Sequence, residues 1–293
     1  MLRQRITHAV LSVLLLVSAV SVQAQNIKLA VTDLVGLEEL QREFEPFKKE
    51  LERVTGLGID FLPVTNRTAA LEALRFKKVD FLLAGPAEYV VMQKRANAKV
   101  VVGLYRPNYY SLVVVKADSP IFLIQELKGQ RIGVGSVGST SRHLGPIQLL
   151  ASAGLEPLKD TQITHTNLRL AWEGLKKGDL QAVGMGRSDL EGFLAQEPKD
   201  QQNAYRVLAR SGDLPNDLLM VGEHVPQQTL EQMRKAIVDH SASLIASIAQ
   251  GGDYVKRYQG MRFLMSIADK DYNLVRTMYR TAGYPEYSEF IGN

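Results

Sequence analysis

Residues 133–142, Gly133-Val134-Gly135-Ser136-Val137-Gly138-Ser139-Thr140-Ser141-Arg142, hold the most informative chemistry in the chain. They follow a predicted strand and open a predicted helix. Ser139, Thr140 and Ser141 set three small hydroxyl donors beside the first amides of that helix, which have no intrahelical acceptor, and the helix dipole adds partial positive charge. Such a cluster suits a tetrahedral oxyanion. Two other readings apply to the same residues. Ser139 can simply cap the helix, which stabilises it by about 1 kcal/mol. Gly133 to Gly138 also spells GxGxxG, the form of a dinucleotide site, but no strand ending in an acidic residue lies about 20 positions on to hold a ribose. On local grounds capping and anion binding stand level.

Catalytic constellations are missing from the sequence. The five histidines are scattered, with no HExxH spacing, and there is neither a GxSxG elbow nor a cysteine nucleophile. Without cysteine, a disulfide framework, a thiolate metal site and an acylated lipobox are all excluded. We therefore expect no enzyme activity and no cofactor. Arg142, just inside the helix, either adds charge to the anion site or faces solvent.

The elements around this segment alternate. Ile27–Val31, Ile59–Pro63, Val79–Ala84, Val100–Leu104 and Ser111–Lys116 have the apolar character of strands, and helical spacing is found at Leu37–Val54, Thr68–Phe76 and Pro86–Lys94. A second set follows: strands at Arg131–Val134 and Ala182–Met185, and helices at Thr140–Ala153, Leu168–Lys177 and Leu190–Gln196. After Arg206–Ala209, the turn-rich 211–217 leads into a strand at Leu218–Val221, and from Gln227 onward the pattern is helical almost throughout. This is α/β grammar in two lobes. The chain is expected to cross between them near 104–111 and again near 211–218, which puts 25–108 and 216–293 in one lobe and 109–215 in the other.

The first 24 residues have the form of an export signal: Arg3 and Arg5, an apolar run from Ala9 to Val20, and the small-residue site Val22-Gln23-Ala24. The run is shorter than the roughly 20 residues a spanning helix needs. The expected location is a Gram-negative periplasm, where no nicotinamide supply is obvious. A net charge of +4, partly in the signal, does not point to nucleic acid.

Taken in order, Ala73-Leu74-Arg75-Phe76-Lys77-Lys78-Val79-Asp80, Tyr109-Tyr110-Ser111-Leu112-Val113-Val114-Val115, Leu127-Lys128-Gly129, Gly138-Ser139-Thr140-Ser141 through Pro146, His165 and Leu214-Pro215-Asn216-Asp217 resemble the phosphonate/phosphate-binding family of periplasmic ABC-transporter components. The resemblance runs from about Ile27 to beyond Val221. It implies the type II-like periplasmic binding fold, two α/β domains with the ligand cleft between them. It also implies that Ser139, Thr140 and Ser141 grip the ligand's oxygens, with Tyr109 at the lobe crossing and His165 near the phosphorus group.

Arg67 stands where the family commonly has a tyrosine and offers a guanidinium fork instead; it is either a ligand contact or a solvated helix charge. Asp217 matches an acid that receives the amine of aminophosphonates, but the accompanying glutamate has no clear counterpart, Ser188 or Asp189 lying closest. The expected ligand is therefore a small anion such as phosphate, phosphite or a simple alkylphosphonate. The expected partner is an ABC permease of the inner membrane, served by a monomer. Rival readings are an organic ligand on the same fold and a sensor subunit that reports to a membrane kinase.

Overall fold

The computed structural model describes residues 26–32, 34, 36–252 and 254–286. The expected export signal, 1–24, lies outside the described residues. In chain order the strands are β1 (Ile27–Val31), β2 (Ile59–Phe61), β3 (Phe81–Ala84), β4 (Lys99–Tyr105), β5 (Ser111–Lys116), β6 (Arg131–Val134), β7 (Gln162–His165), β8 (Ala182–Gly186), β9 (Tyr205–Arg210), β10 (Asp217–Val221) and β11 (Arg262–Leu264). The α-helices are α1 (Leu37–Thr55), α2 (Arg67–Arg75), α3 (Pro86–Ala96), α4 (Gly145–Ser152), α5 (Pro157–Asp160), α6 (Leu168–Lys177), α7 (Arg187–Gln196), α8 (Gln227–Asp239), α9 (Ser241–Ile248) and α10 (Asn273–Thr281).

Two sheets form, as the alternation of the sequence predicts. The first has the order β11-β4-β10-β3-β1-β2 and the second β7-β6-β8-β5-β9. The strands without polar alternation are the central ones: every residue of β3 and β10 is buried, because helices cover both faces of such a sheet. Amphipathic α1 supplies one cover, with Leu40, Phe44, Phe47 and Leu51 buried at helical spacing. The chain passes from the first sheet to the second between β4 and β5 and returns between β9 and β10.

The C-terminal region departs from its expected helical pattern. β11 is a three-residue strand antiparallel to β4, with Arg262 opposite Tyr105. Helix α10 touches both α3 and α4. There the Tyr279 hydroxyl donates to the Ala87 carbonyl (3.1 Å) and the Thr281 hydroxyl donates to Gln148 Oε1 (2.8 Å). One apolar cluster accordingly runs from Leu82 and Val90 through Val275 and Tyr279 to Leu150 and Ile132. This packing joins the two lobes.

Candidate functional site

The Ser-Thr-Ser segment leaves β6 through a tight turn. Gly138 takes φ 80°, a left-handed conformation that glycine adopts without steric cost, and the Ser139 amide donates back to the Ser136 carbonyl at 3.1 Å. The helix predicted from Thr140 to Ala153 divides in two, a single π turn at Thr140–Leu144 followed by α4. Pro146 explains the division: it has no N–H to give the Arg142 carbonyl, and that carbonyl accepts instead from the Gly135 amide at 2.8 Å. The Leu144 amide reaches the Ser139 carbonyl at 3.0 Å, so the turn is wider than an α turn. Single π turns of this kind recur at functional sites. Ser139 occupies the N-cap position but makes no side-chain cap hydrogen bond, which weighs against the capping reading.

Ser139, Thr140, Ser141, Arg67, Tyr109 and Asp217 all line one cavity of about 30 Å³ between the two lobes. On this measure a water needs roughly 10–15 Å³. The space suits a group of a few heavy atoms and is far below what a dinucleotide occupies. Thr140 also crosses the cleft, its Oγ1 accepting the Ala87 amide from the start of α3 at 3.1 Å.

His165 lies elsewhere. It is exposed at the end of the edge strand β7, with Nδ1 3.2 Å from the Gly135 carbonyl oxygen and its ring centroid 4.6 Å from that of His143. The buried His143 in turn accepts the Gly138 amide on Nδ1 at 3.1 Å. The two rings therefore back the Gly135–Gly138 turn from outside the cavity. Burial, reinforced by His165 and Arg67, pushes the His143 imidazole down to about 3, and it stays neutral.

The cavity walls carry charges in pairs. Arg67 Nε donates to Glu88 Oε1 at 2.7 Å; the Glu88 side chain is buried and that of Arg67 is 11% exposed. Arg106 Nη1 donates to Asp217 Oδ2 at 3.2 Å, and the Tyr258 hydroxyl donates to the same oxygen at 2.8 Å. The Arg106 guanidinium also lies 3.8 Å from the Tyr109 ring centroid, a cation–π contact. Burial pushes the Tyr109 phenol up to about 12, with Arg106 opposing the shift, so it remains a hydroxyl donor. Arg142 forks onto Asp189 at 2.9 and 2.7 Å, and Asp189 Oδ2 accepts the Gly186 amide at 3.0 Å.

Glu88, Arg106 and Tyr258 were not among the residues expected at the site. Glu88 had a signal, an acid in the first turn of a helix whose next four residues, Tyr89 to Met92, are apolar. Tyr258, in a short 3₁₀ turn, had none. Among the described residues, three buried side-chain atoms have no hydrogen-bond partner: Ser111 Oγ, Arg206 Nε and Asp217 Oδ1. Of the three residues only Asp217 lines the cavity.

A family model described as "ABC transporter, phosphonate, periplasmic substrate-binding protein" matches residues 36–272. The chain belongs to this family. Every cavity-lining residue named above lies in that matched span, from Arg67 to Tyr258. Among curated members, the phosphonates-binding periplasmic protein of Escherichia coli (strain K12) is 26% identical over 144 residues, covering 46% of this chain and 43% of that one. The phosphate-import protein PhnD of Mycolicibacterium smegmatis is 25% identical over 138 residues, 45% of this chain and 43% of its own. The chain thus matches less than half the length of either relative. PhnD1 from Prochlorococcus marinus, solved in complex with methylphosphonate, shares the fold at a TM-score of 0.71 and 18% identity, covering 89% of this chain and 99% of the other. No helix among the described residues is long and apolar enough to cross a membrane.

Proposed function

We propose that this family member captures a small phosphorus oxyanion, phosphonate, phosphite or phosphate, in the periplasm and delivers it unchanged to an ABC permease of the inner membrane. The observation that carries the reading is the convergence of the Ser139-Thr140-Ser141 turn with Arg67, Tyr109 and Asp217 on one small cavity between the lobes. Membership of the family and the names of the two curated relatives support the ligand class.

In this reading residues 25–108 with 216–293 make one lobe and 109–215 the other, residues 1–24 are a removed signal, and the protein acts as a monomer without catalysis. The oxyanion docks on the hydroxyls and leading amides of the turn in the second lobe. Groups from the first lobe then close over it, so that binding free energy favours the closed form. The hydroxyl of Thr140 already reaches the first lobe through Ala87, and closure is the state a permease recognises.

A thermal-shift screen tests the reading, because a ligand that binds only the native state raises the melting temperature by mass action. Phosphate, phosphite, methylphosphonate and 2-aminoethylphosphonate are compared with sulfate, methanesulfonate and acetate. The largest shifts are expected from phosphorus anions. A larger shift from a sulfonate or a carboxylate contradicts the proposal.

A further inference from the structure

The net charge of +4 is not evenly spread along the chain. Of the 35 Lys and Arg, six fall in residues 72–99, against three of the 31 Asp and Glu. With these and the two arginines of the expected signal set aside, the remainder is close to neutral. The fold gathers the six cations at one end of the first lobe. β3 begins at Phe81 and ends at Ala84, a residue of the cavity wall, so the Arg75–Lys78 turn that precedes it lies at the far end of the sheet from the cavity. α3 runs back from Pro86 to Ala96, about 16 Å at about 1.5 Å per residue, and returns Lys94 and Arg95 to that end, where β4 starts at Lys99.

There Arg75, Lys77 and Arg95 line an open hollow of about 390 Å³ together with Asn97, Glu223 and His224. The carboxylates nearby are engaged: Glu72 accepts from Arg75 at 2.8 Å, Glu223 accepts from Asn97 at 2.9 Å, and Asp80 meets His224 at 2.9 Å. Arg75, Lys77 and Lys78 are all exposed. Phe76, between them in the chain, is 66% exposed, with the Arg75 guanidinium 5.9 Å from its ring centroid.

Cations at the ends of α2 and α3 complement the helix dipoles, which accounts for Arg75, Lys94 and Arg95. It does not account for the turn after α2. Lys77 is held at φ 57°, a left-handed conformation that disfavours any side chain and in which glycine is the residue of least cost. Beside it an aromatic ring is left in water. A projecting phenylalanine flanked by cations is the composition by which a protein surface settles on an anionic bilayer, the ring at the acyl boundary and the cations among the phosphates.

We infer that this end of the first lobe is a docking face for an anionic phospholipid surface, the hollow seating a headgroup phosphate and Phe76 entering the interface. An acidic protein would match the cations alone, and the exposed ring favours lipid. The inference goes beyond the functional reading and borrows from it only the location, the periplasmic side of the membrane that holds the permease. Because the face is remote from the cavity, contact leaves the cleft free to fill and close while it keeps the loaded protein near its transporter. The association is weak and reversible: each Lys or Arg near such a surface raises partitioning about fivefold, and salt screens the effect.

Co-sedimentation of the mature protein with vesicles tests this, residues 1–24 being removed because their apolar run would itself bind lipid. Vesicles of phosphatidylglycerol and phosphatidylethanolamine in equal parts are compared with vesicles of phosphatidylcholine at about 0.1 M and about 1 M salt. A polyglutamate column and calorimetric titration with methylphosphonate are run on the same samples. The wild type is expected to partition at least tenfold better onto the anionic vesicles at the lower salt and to lose that preference at the higher. Lys77→Gly/Lys78→Gln should reduce partitioning by about tenfold or more, with a urea midpoint held or raised because glycine relieves the left-handed turn. Phe76→Ser should also reduce partitioning but keep its salt dependence. Methylphosphonate affinity should be unchanged in both variants.

Equal partitioning onto the two kinds of vesicle, undiminished partitioning of either variant, or no partitioning at all overturns the inference. Retention on polyglutamate without binding to vesicles also overturns it and assigns the face to an acidic protein. None of these results bears on the functional reading, which fails separately when no phosphorus anion binds the wild type.

Discussion

Thr140 Oγ1 accepts the backbone amide of Ala87 at 3.1 Å, a hydrogen bond that joins the π turn of the second lobe to the first turn of α3 in the other. One side chain thus serves both the anion cradle and the contact between lobes. Thr140→Ser keeps the hydroxyl and is expected to hold affinity for methylphosphonate within a few-fold. Thr140→Val keeps the shape, leaves the Ala87 amide unpaired at a cost of about 1–3 kcal/mol, and should weaken binding at least tenfold. Calorimetric titration of the two variants separates the hydroxyl from the methyl group.

Arg67 and Glu88 form a second relationship of this kind. Glu88 is buried and Arg67 nearly so, with 3% and 11% of their side chains exposed, and removing one partner of a buried pair typically destabilises by about 3–5 kcal/mol. Arg67→Ala is expected to lose stability in that range, measured as a lowered urea midpoint. Glu88→Gln, which keeps an oxygen for Arg67, should lose less, and sulfate should bind it more tightly than it binds the wild type because a carboxylate has left the cavity wall.

The pairing also shows how far the sequence could be read. Arg67 was legible as a cation at a helix start, with a choice between ligand and solvent. Its actual partner is 21 positions away in the next helix, and only the parallel pairing of β1 with β2 and β3 brings the two helix starts together. His165 was misplaced for a similar reason. It ends β7, an edge strand of Gln162, Ile163, Thr164 and His165 with too little apolar character to be recognised, so its position behind the turn could not be read. The central strands were legible because complete burial forces an unbroken apolar run, as in Phe81–Ala84. β11 has three residues, one of them the exposed Arg262, and leaves no such pattern.

His143 links the turn to pH. Its imidazole is held down to about 3, against about 6.5 in the unfolded chain, so below about pH 6.5 the unfolded state binds the extra proton. Stability from this group is complete above that value and is lost as pH falls toward 3. Between pH 7 and pH 5 the loss should be about 2 kcal/mol. His143→Asn, whose side-chain carbonyl can still accept from Gly138, is expected to lack that component when urea unfolding is compared at the two pH values.

Gly145 sets the closeness of α4 to the second sheet. A Cβ there would meet Ser111 Oγ at 1.9 Å, so Gly145→Ala must displace either the helix start or β5. The expected cost is about 1–3 kcal/mol. Because the same helix start carries the Ser-Thr-Ser turn, methylphosphonate affinity should fall with stability, and a variant with normal stability and normal affinity would show that the turn tolerates the displacement.

The central claim is that the hydroxyls of one turn hold the ligand. Its most direct test is calorimetric titration of methylphosphonate into the wild type and the double variant Ser139→Ala/Thr140→Ala, with the ligand-free melting temperature of each measured alongside. The account predicts an affinity at least tenfold weaker in the variant and, because the Ala87 amide is left unpaired, a melting temperature lower by roughly 2–12 °C. Equal affinity in the two proteins would contradict it.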